Sequence, residues 1–494
     1  MPYLFLTGAT GLLGRYLMKD LTVAGLSLAV LVRASRKASA WHRVENVMCS
    51  WEKVLGRSLA RPIVLEGDIT EPDLGLDARG MRWVAENCDL LLHNAASLTF
   101  QATGPSSEPW RSNITGTRQV LELCRNARIR NFQHVSTAYV CGQRSGLIHE
   151  SDVDVGQKAS NDYEQSKLQA ELMVRSADFL DSVTVHRPAI IIGDSQTGFT
   201  TTYHGFYALL QAIATIAHTF QADPSGHASV IANFGATGRE TKNLVPVDWV
   251  SAVMAHVISH PELHGQTYHL TPQHPIPTRL IADVCEEVIG FYGVKFGGAD
   301  KPKLGATEYE QLFSELISVY NSYWKDDPTF DATNTRTAAA HLPCPHIDRK
   351  LLRKLSEYAI RVNFTSPRAK PIPPPFDVAA TLEPLLDTAG DSVIPDDVVR
   401  IGLRVTGHGG GDWTLVLAGE EVVAAELGIN ARCETVITCD IDQFAALLGR
   451  QSDAEQALAG GKLTSSGEAR IRRLAGGAVR QLSDLSSSRA MAPQ

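Results

Sequence analysis

Tyr3-Leu4-Phe5-Leu6-Thr7-Gly8-Ala9-Thr10-Gly11-Leu12-Leu13-Gly14 runs from a short apolar strand pattern into glycines spaced by three. A helical pattern follows from about Leu12 to Leu21. A strand that ends on such a loop and opens a helix suits a dinucleotide. The glycines let the backbone turn tightly beside a pyrophosphate, and the free N–H groups of the helix N-terminus face the anion. Gly8, Thr10, Gly11, Leu12, Leu13 and Gly14 are therefore the first cofactor-binding candidates.

Working outward, apolar runs recur at Leu28–Val32, Ile63–Leu65, Leu90–His93, Asn131–Val140 and Val183–His186, with helical stretches between them. Short apolar strands alternating with helices predict a parallel sheet covered on both faces. The expected class is α/β: a Rossmann-type doubly wound parallel sheet with a smaller substrate region, plus a C-terminal α+β domain. The second strand ends in Arg33, followed by Arg36 and Lys37, where an NAD enzyme carries an acid for the ribose hydroxyls. A guanidinium pairs with a 2′-phosphate that an aspartate would repel, so NADPH is the expected cofactor. Asp68 and Ile69 follow the third strand and suit the adenine. Asn94, Ala95 and Ala96 end the fourth, where small residues allow close approach.

Tyr163-Glu164-Gln165-Ser166-Lys167 puts a phenol and an ammonium on one helix face. The cation, with a positive nicotinamide, is expected to favour the phenolate and bring its pKa from about 10 toward neutrality. Lys167 can also bond the nicotinamide ribose. Ser136 and Thr137 supply adjacent hydroxyls after the fifth strand.

The glycine loop, Asn94-Ala95-Ala96, Ser136–Gly142, the Tyr163–Lys167 motif and Arg187-Pro188 together resemble the extended short-chain dehydrogenase/reductase family, across roughly residues 3–280. The resemblance implies a Thr-Tyr-Lys set. Its hydroxyl residue lies three before the Val of a Val-Tyr-Gly-like tripeptide, here Val140-Cys141-Gly142, which points to Thr137 with Ser136 as the fallback. Asn113 matches a helix asparagine often linked to a proton relay, its other role being to hold a kinked helix. Pro188 joins the cofactor-binding set, and Val245-Pro246-Val247-Asp248 resembles a motif that anchors the substrate region. Within the superfamily, the glycine loop, Leu31-Val32-Arg33 and the catalytic segments look most like fatty acyl-CoA reductases and carrier-protein thioester reductases. That implies reduction of an acyl-CoA or acyl carrier protein thioester to aldehyde, with alcohol as a further product. A steroid or other lipophilic alcohol/ketone dehydrogenase is the alternative, and a lipid-transfer protein the alternative of another class.

Tyr203–Phe220 reads as a strongly apolar helix, either core, a dimer face or a wall of a lipophilic pocket. Five prolines within residues 365–376 mark a semi-rigid linker with few contacts expected across it. The expected division is a Rossmann domain with the catalytic set at 1–270, substrate-region helices at 271–364, the linker, a module at 377–482 and a flexible tail at 483–494. In the module, Trp413–Gly428 alternates as a hairpin, Glu434–Thr438 reads as a strand, and Asp440 or Asp442 can cap a helix through Leu448. With Ala459–Gly467 these segments resemble the lipid-binding sterol carrier protein family, which implies a lipid in this domain.

The 494 residues are 44% hydrophobic and 20% charged with a formal net charge of −8, a soluble composition with no basic footprint for nucleic acid. Eight cysteines form no CxxC pair, and Pro261 breaks the helix that His260 and His264 would need, so no metal is expected. The first strand leaves no room for a leader, and no apolar stretch reaches the roughly 18 residues of a membrane span, so a cytoplasmic location is expected.

Overall fold

A computed structural model describes residues 2–219, 233–234, 237–292, 295–296, 312, 315–316, 325–365, 373–386, 398–419, 421–465, 478 and 481–482. The expected flexible tail and most of the proline-rich linker lie outside these residues.

Seven parallel strands form the main sheet: β1 (Tyr3–Thr7), β2 (Leu28–Val32), β3 (Ile63–Glu66), β4 (Cys88–His93), β5 (Asn131–Val135), β6 (Ser182–Pro188) and β7 (Thr267–Leu270). Their order is β7-β6-β5-β4-β1-β2-β3. β1 and β2 are buried along their whole length, which is why they read as unbroken apolar runs. The chain runs from β1 through β2 to β3, then crosses back to lay β4 on the other side of β1. That reversal opens a crevice at the carboxyl ends of β1 and β4, where doubly wound sheets bind ligands.

Around the sheet lie α1 (Leu12–Val23), α2 (Ala40–Leu55), α3 (Ala78–Asn87), α4 (Thr117–Ala127) and α5 (Asp162–Arg175). Beyond β6 come α6 (Phe206–Thr219), α7 (Val247–Ile258), α8 (Thr278–Ile289) and α9 (Arg349–Arg361). α7 packs on α1 in the main core, whereas α6, α8 and α9 share a second core. Asp248 ties the two regions: its carboxylate accepts from Ser195 N at 2.9 Å and Ser195 Oγ at 2.6 Å. This is the anchoring role expected of Val245–Asp248.

The C-terminal part is a mixed five-stranded sheet of β8 (Val399–Thr406), β9 (Gly411–Ala418), β10 (Glu421–Leu427), β11 (Thr435–Asp440) and β12 (Thr464–Ser465), in the order β10-β9-β8-β11-β12. β9 and β10 form the expected hairpin. Asp440 caps α10 (Ile441–Leu448), accepting from Gln443 N at 2.7 Å. Ile401, Leu403, Leu415, Leu417, Ile437 and Phe444 fill the core of this part.

One expectation is overturned. The two sides of the proline-rich stretch make a dense, polar contact. Tyr3 Oη donates to Asp412 Oδ2 at 2.9 Å and accepts from Ile429 N at 2.9 Å. Trp83 Nε1 donates to the Leu427 carbonyl at 2.7 Å, and Arg404 Nη2 to Ser27 Oγ at 2.7 Å. Gly407 N donates to the Leu59 carbonyl at 3.1 Å. Tyr3, Ser27 and Leu59 begin or precede β1, β2 and β3, so this module docks on the amino-terminal edge of the sheet, opposite the crevice. Linker composition says nothing about surfaces that meet elsewhere.

Candidate active site

The glycine loop is built by backbone needs. Gly8 has φ +71°, and a Cβ on it would lie 2.7 Å from Ala95 N. A Cβ on Gly14 would lie 2.1 Å from the Gly8 carbonyl oxygen, so Gly14 lets α1 pack on the loop rather than facing the crevice. Gly11 is the N-cap of α1 and brings no side-chain cap, which leaves the first-turn N–H groups open toward the crevice. Asn94 braces the loop, donating from Nδ2 to the Gly8 carbonyl at 3.1 Å. The Thr7 hydroxyl accepts from Asn94 N at 3.1 Å and Ala95 N at 3.2 Å. These residues fit a dinucleotide: a close backbone cradle and the amides and positive end of a helix N-terminus.

At the end of β2, Arg33 Nη1 meets Asp68 Oδ2 at 3.3 Å. Burial works against the Asp68 carboxylate, but the Thr70 amide and hydroxyl and the Arg33 cation hold its pKa below the usual value. A second arginine completes this corner. Arg43, on α2, donates to the Arg33 carbonyl at 2.6 Å and to Thr10 Oγ1 at 2.7 Å. Sequence reasoning missed it because the residues after β2 give no measure of where α2 will lie. Arg36 sits in the exposed turn beyond and does not line the crevice.

The catalytic candidates meet at the carboxyl ends of β5 and β6. Tyr163 lies beside Thr137, and both line the same cavity. Ser136 Oγ instead donates to Glu171 Oε2 at 2.6 Å, whereas Thr137 Oγ1 accepts from Tyr139 N at 3.3 Å and faces the Pro188 carbonyl at 3.5 Å. Glu171 lies one helical turn past Lys167. Its carboxylate also accepts from Arg187 Nη2 at 2.6 Å and Arg175 Nε at 2.9 Å, fixing α5 against the sheet. Arg187 and Glu171 are fully buried. Lys167 is 3% exposed and donates from Nζ to the Val135 carbonyl at 2.6 Å. Burial lowers its pKa to about 8, with Glu171 acting the other way.

Burial pushes Tyr163 up to about 12, against a smaller downward pull from Thr137. Lys167 spends its contact on Val135, so desolvation of the phenolate prevails.

Asn113 sits in a π-helical segment, Arg111–Gly116. Its Oδ1 accepts from Ser97 N at 2.8 Å, and its Nδ2 donates to the Ser97 carbonyl at 3.1 Å and Ser166 Oγ at 2.9 Å. It clamps the kinked helix to α5 and does not line the cavity.

A cavity of about 590 Å³ joins these parts. Gly8, Thr10, Gly11, Leu12, Leu13, Arg33, Asp68, Ile69 and Asn94–Ala96 line one limb; Thr137, Tyr163, Lys167 and Pro188 line the junction. A second limb is largely apolar, with Phe206 and Leu209 of α6, Leu244, Ile281 of α8 and Phe296, and with Thr202, His204, Thr278 and Lys242 as polar lining. The expected apolar helix is thus both core and pocket wall; Phe220 lies outside the described residues. Elsewhere Glu45, Cys49 and His408 bring metal-type donors together, but Arg61 already pairs with Glu45 at 2.9 Å. Among the described residues no helix is long and apolar enough to cross a membrane.

Comparison with known proteins places this geometry. The family model described as Male sterility protein, an NAD-binding model, matches residues 6–254, half of the chain. The nonribosomal peptide synthetase hkm10 of Aspergillus hancockii is 26% identical over 388 residues, 72% of this chain and 36% of the synthetase. The L-2-aminoadipate reductase of Schizosaccharomyces pombe is 29% identical over 285 residues, 52% of this chain and 19% of that protein. The chain thus spans about a third or less of these relatives. The terminal R domain of the myxalamid PKS-NRPS pathway shares the fold at a TM-score of 0.60 and 24% identity, with 74% of this chain and 92% of that one covered. With its Rossmann-type sheet and a matching model over half its length, the chain belongs to the Male sterility protein family of NAD-binding proteins.

Proposed function

We propose that this chain is an NADPH-dependent reductase that converts a fatty acyl or related thioester, carried on coenzyme A or on an acyl carrier protein, to the aldehyde and on to the alcohol. The observation that carries the reading is that Thr137, Tyr163 and Lys167 meet where the cofactor limb joins an apolar limb, with burial raising the pKa of the phenol. A donor that stays protonated suits reduction of a carbonyl, in which negative charge grows on oxygen. The peptide synthetase relative supports a carrier-bound substrate, and the aminoadipate reductase supports reduction as the direction.

Gly8–Gly14 would hold the pyrophosphate, Asp68 and Ile69 the adenine, and Asn94–Ala96, Lys167 and Pro188 the nicotinamide riboside. Arg33 and Arg43 would share the 2′-phosphate, since both guanidinium groups flank the end of β2, where Arg33 stands in the position of the usual acid. When bound, the dihydronicotinamide supplies the hydride. Tyr163 and Thr137 donate to the thioester oxygen as it becomes an oxyanion, and the Tyr163 proton moves onto it. The Lys167 ammonium, held by Val135 and kept charged by Glu171, orients the ribose. When the hemithioacetal collapses, its O–H and C–S bonds break, the thiol leaves with the proton and the aldehyde remains, and a proton from solvent restores the Tyr163 phenol. The same donors serve a second reduction.

The reading divides the chain as Rossmann domain 1–270, substrate region 271–364, linker 365–376 and module 377–482. The module is proposed as a lipid-binding unit similar to sterol carrier proteins, a reading its apolar-cored mixed sheet supports. Full-length protein assayed for NADPH and NADH oxidation with acyl-CoAs, acyl carrier protein thioesters and ketosteroids, with product identification, tests the assignment. Turnover of ketosteroids alone would replace the thioester reading. Saturable displacement of a fluorescent fatty acid or sterol tests the module, and no saturable binding removes its lipid role.

A further inference from the structure

The apolar limb contains one buried cation that the proposed chemistry does not use. Lys242 lines the cavity beside Phe206, Leu209, Leu244 and Ile281, and its side chain is only 7% exposed. Nζ donates to Asp327 Oδ1 at 3.0 Å and to the Lys325 carbonyl. Asp327 is itself saturated. Its other oxygen accepts from Tyr139 Oη at 2.6 Å and from Asn243 N at 2.9 Å. An ammonium has three N–H donors, and the described residues take two.

A buried ion pair is a poor source of stability compared with apolar residues of the same size. Pinning the 325–330 segment to the strand that carries Lys242 therefore does not require a lysine there. A donor left over in an apolar pocket is instead the arrangement by which a site holds one polar atom of an otherwise greasy ligand. We infer that Lys242 is a specificity residue that donates a hydrogen bond to a carbonyl or hydroxyl oxygen of the substrate, beyond the reacting carbonyl. This rests on the thioester reading above. The oxygen belongs either to the acyl group or to an amide of the thiol arm, and both present the same acceptor to the ammonium.

Three matched thioesters separate these sources: hexanoyl ethanethiol, hexanoyl N-acetylcysteamine with an amide in the thiol arm, and an N-acetyl-β-alanyl ethanethiol ester with an amide in the acyl group. The full-length enzyme is expected to favour one amide-bearing ester over the alkyl ester by roughly ten- to hundredfold in kcat/KM, the range of a hydrogen bond to a charged donor. The favoured ester identifies which part of the substrate Lys242 reads. Lys242→Met should collapse that ratio toward unity. Because this variant leaves Asp327 without its cation, Lys242→Met/Asp327→Asn is measured beside it, with thermal unfolding of both. No preference in the wild-type enzyme, an unchanged ratio in the double variant, or an equal loss on all three esters overturns the inference. Failure of the wild-type enzyme to reduce any of the three removes the thioester reading itself.

Discussion

Tyr163 and Lys167 share a helix face, yet their environments push them in different directions. The phenol is raised to about 12 and the ammonium lowered to about 8, in both cases because burial disfavours the charged form. Tyr163→Phe removes the proton donor and little else. Turnover should fall by about 10²–10⁴-fold, while NADPH affinity measured by fluorescence titration is largely kept. A near wild-type rate would take Tyr163 out of the mechanism. Lys167 supplies a pH test. Above about pH 8 it loses the proton that makes it a cation, so kcat/KM for NADPH should decline with rising pH from there. A flat profile between pH 7 and 9.5, to order of magnitude, would contradict a role for the ammonium at the ribose. At the phosphate corner, Arg33→Asp is expected to reduce the NADPH-over-NADH preference by more than about tenfold, or roughly 1.4 kcal/mol. Arg33→Asp/Arg43→Ala should reduce it further. If only the double variant moves the ratio, Arg43 carries the phosphate.

At the level of elements, the strands bring histidines into the middle of the sheet. His93 on β4, His134 on β5 and His186 on β6 are all buried, and both ring nitrogens of His134 lack a partner. Burial lowers His93 and His186 to about 3, and His134 lies well below the ordinary value of 6.5. A depressed folded-state pKa means that the unfolded chain binds more protons between the two values. The stability these neutral rings contribute is therefore complete above about pH 6.5 and is lost as pH falls toward 3. Each steepens the loss by up to about 1.4 kcal/mol per pH unit. His134→Leu should make the acid limb of thermal unfolding shallower and raise the midpoint at pH 5 more than at pH 8. An unchanged slope would mean that His134 does not titrate on unfolding. The first six strands were legible because each contains a short apolar or β-branched run. β8 carries no such clear signal: its pattern, Val399-Arg400-Ile401-Gly402-Leu403-Arg404-Val405-Thr406, is interrupted by Gly402. That glycine is there because a Cβ would come within 2.9 Å of Ile429 Cγ2, a contact no local pattern encodes.

For the whole molecule, the decisive feature is that the C-terminal module docks on the edge of the sheet opposite the active site. Ending the chain at residue 365 exposes Tyr3 and Trp83 and removes Asp412, Ile429 and Leu427 from them. The shortened reductase is expected to unfold at a lower temperature than the full chain, each lost kcal/mol costing about 1–2 °C in a protein of this size. It should keep kcat/KM on short thioesters, since Thr137, Tyr163 and Lys167 are untouched. Unchanged thermal stability would show that the docking contacts contribute nothing. A loss confined to long-chain substrates would tie the module to substrate delivery despite its position.

What the sequence by itself determined is local: the glycine loop that makes a cradle, the alternation of apolar runs that makes a parallel sheet, and the i, i+4 spacing that aligns Tyr163 with Lys167. Each depends on residues within about one element of one another, where backbone geometry and side-chain period dictate the outcome. The tertiary structure alone decided the rest. Ser136 and Thr137 are chemically alike neighbours, and only the position of Glu171 across the packed helix separates them. Arg43 reaches the cofactor corner, and Lys242 the apolar limb, through the packing of distant segments. The Tyr163 pKa depends on how fully the surrounding chain excludes water, which no spacing of residues specifies. The two halves that a proline-rich stretch seems to divide are joined through side chains some 400 positions apart, as Tyr3 and Asp412 are, because contact between surfaces follows from shape and unpaired polar groups rather than from the chain between them.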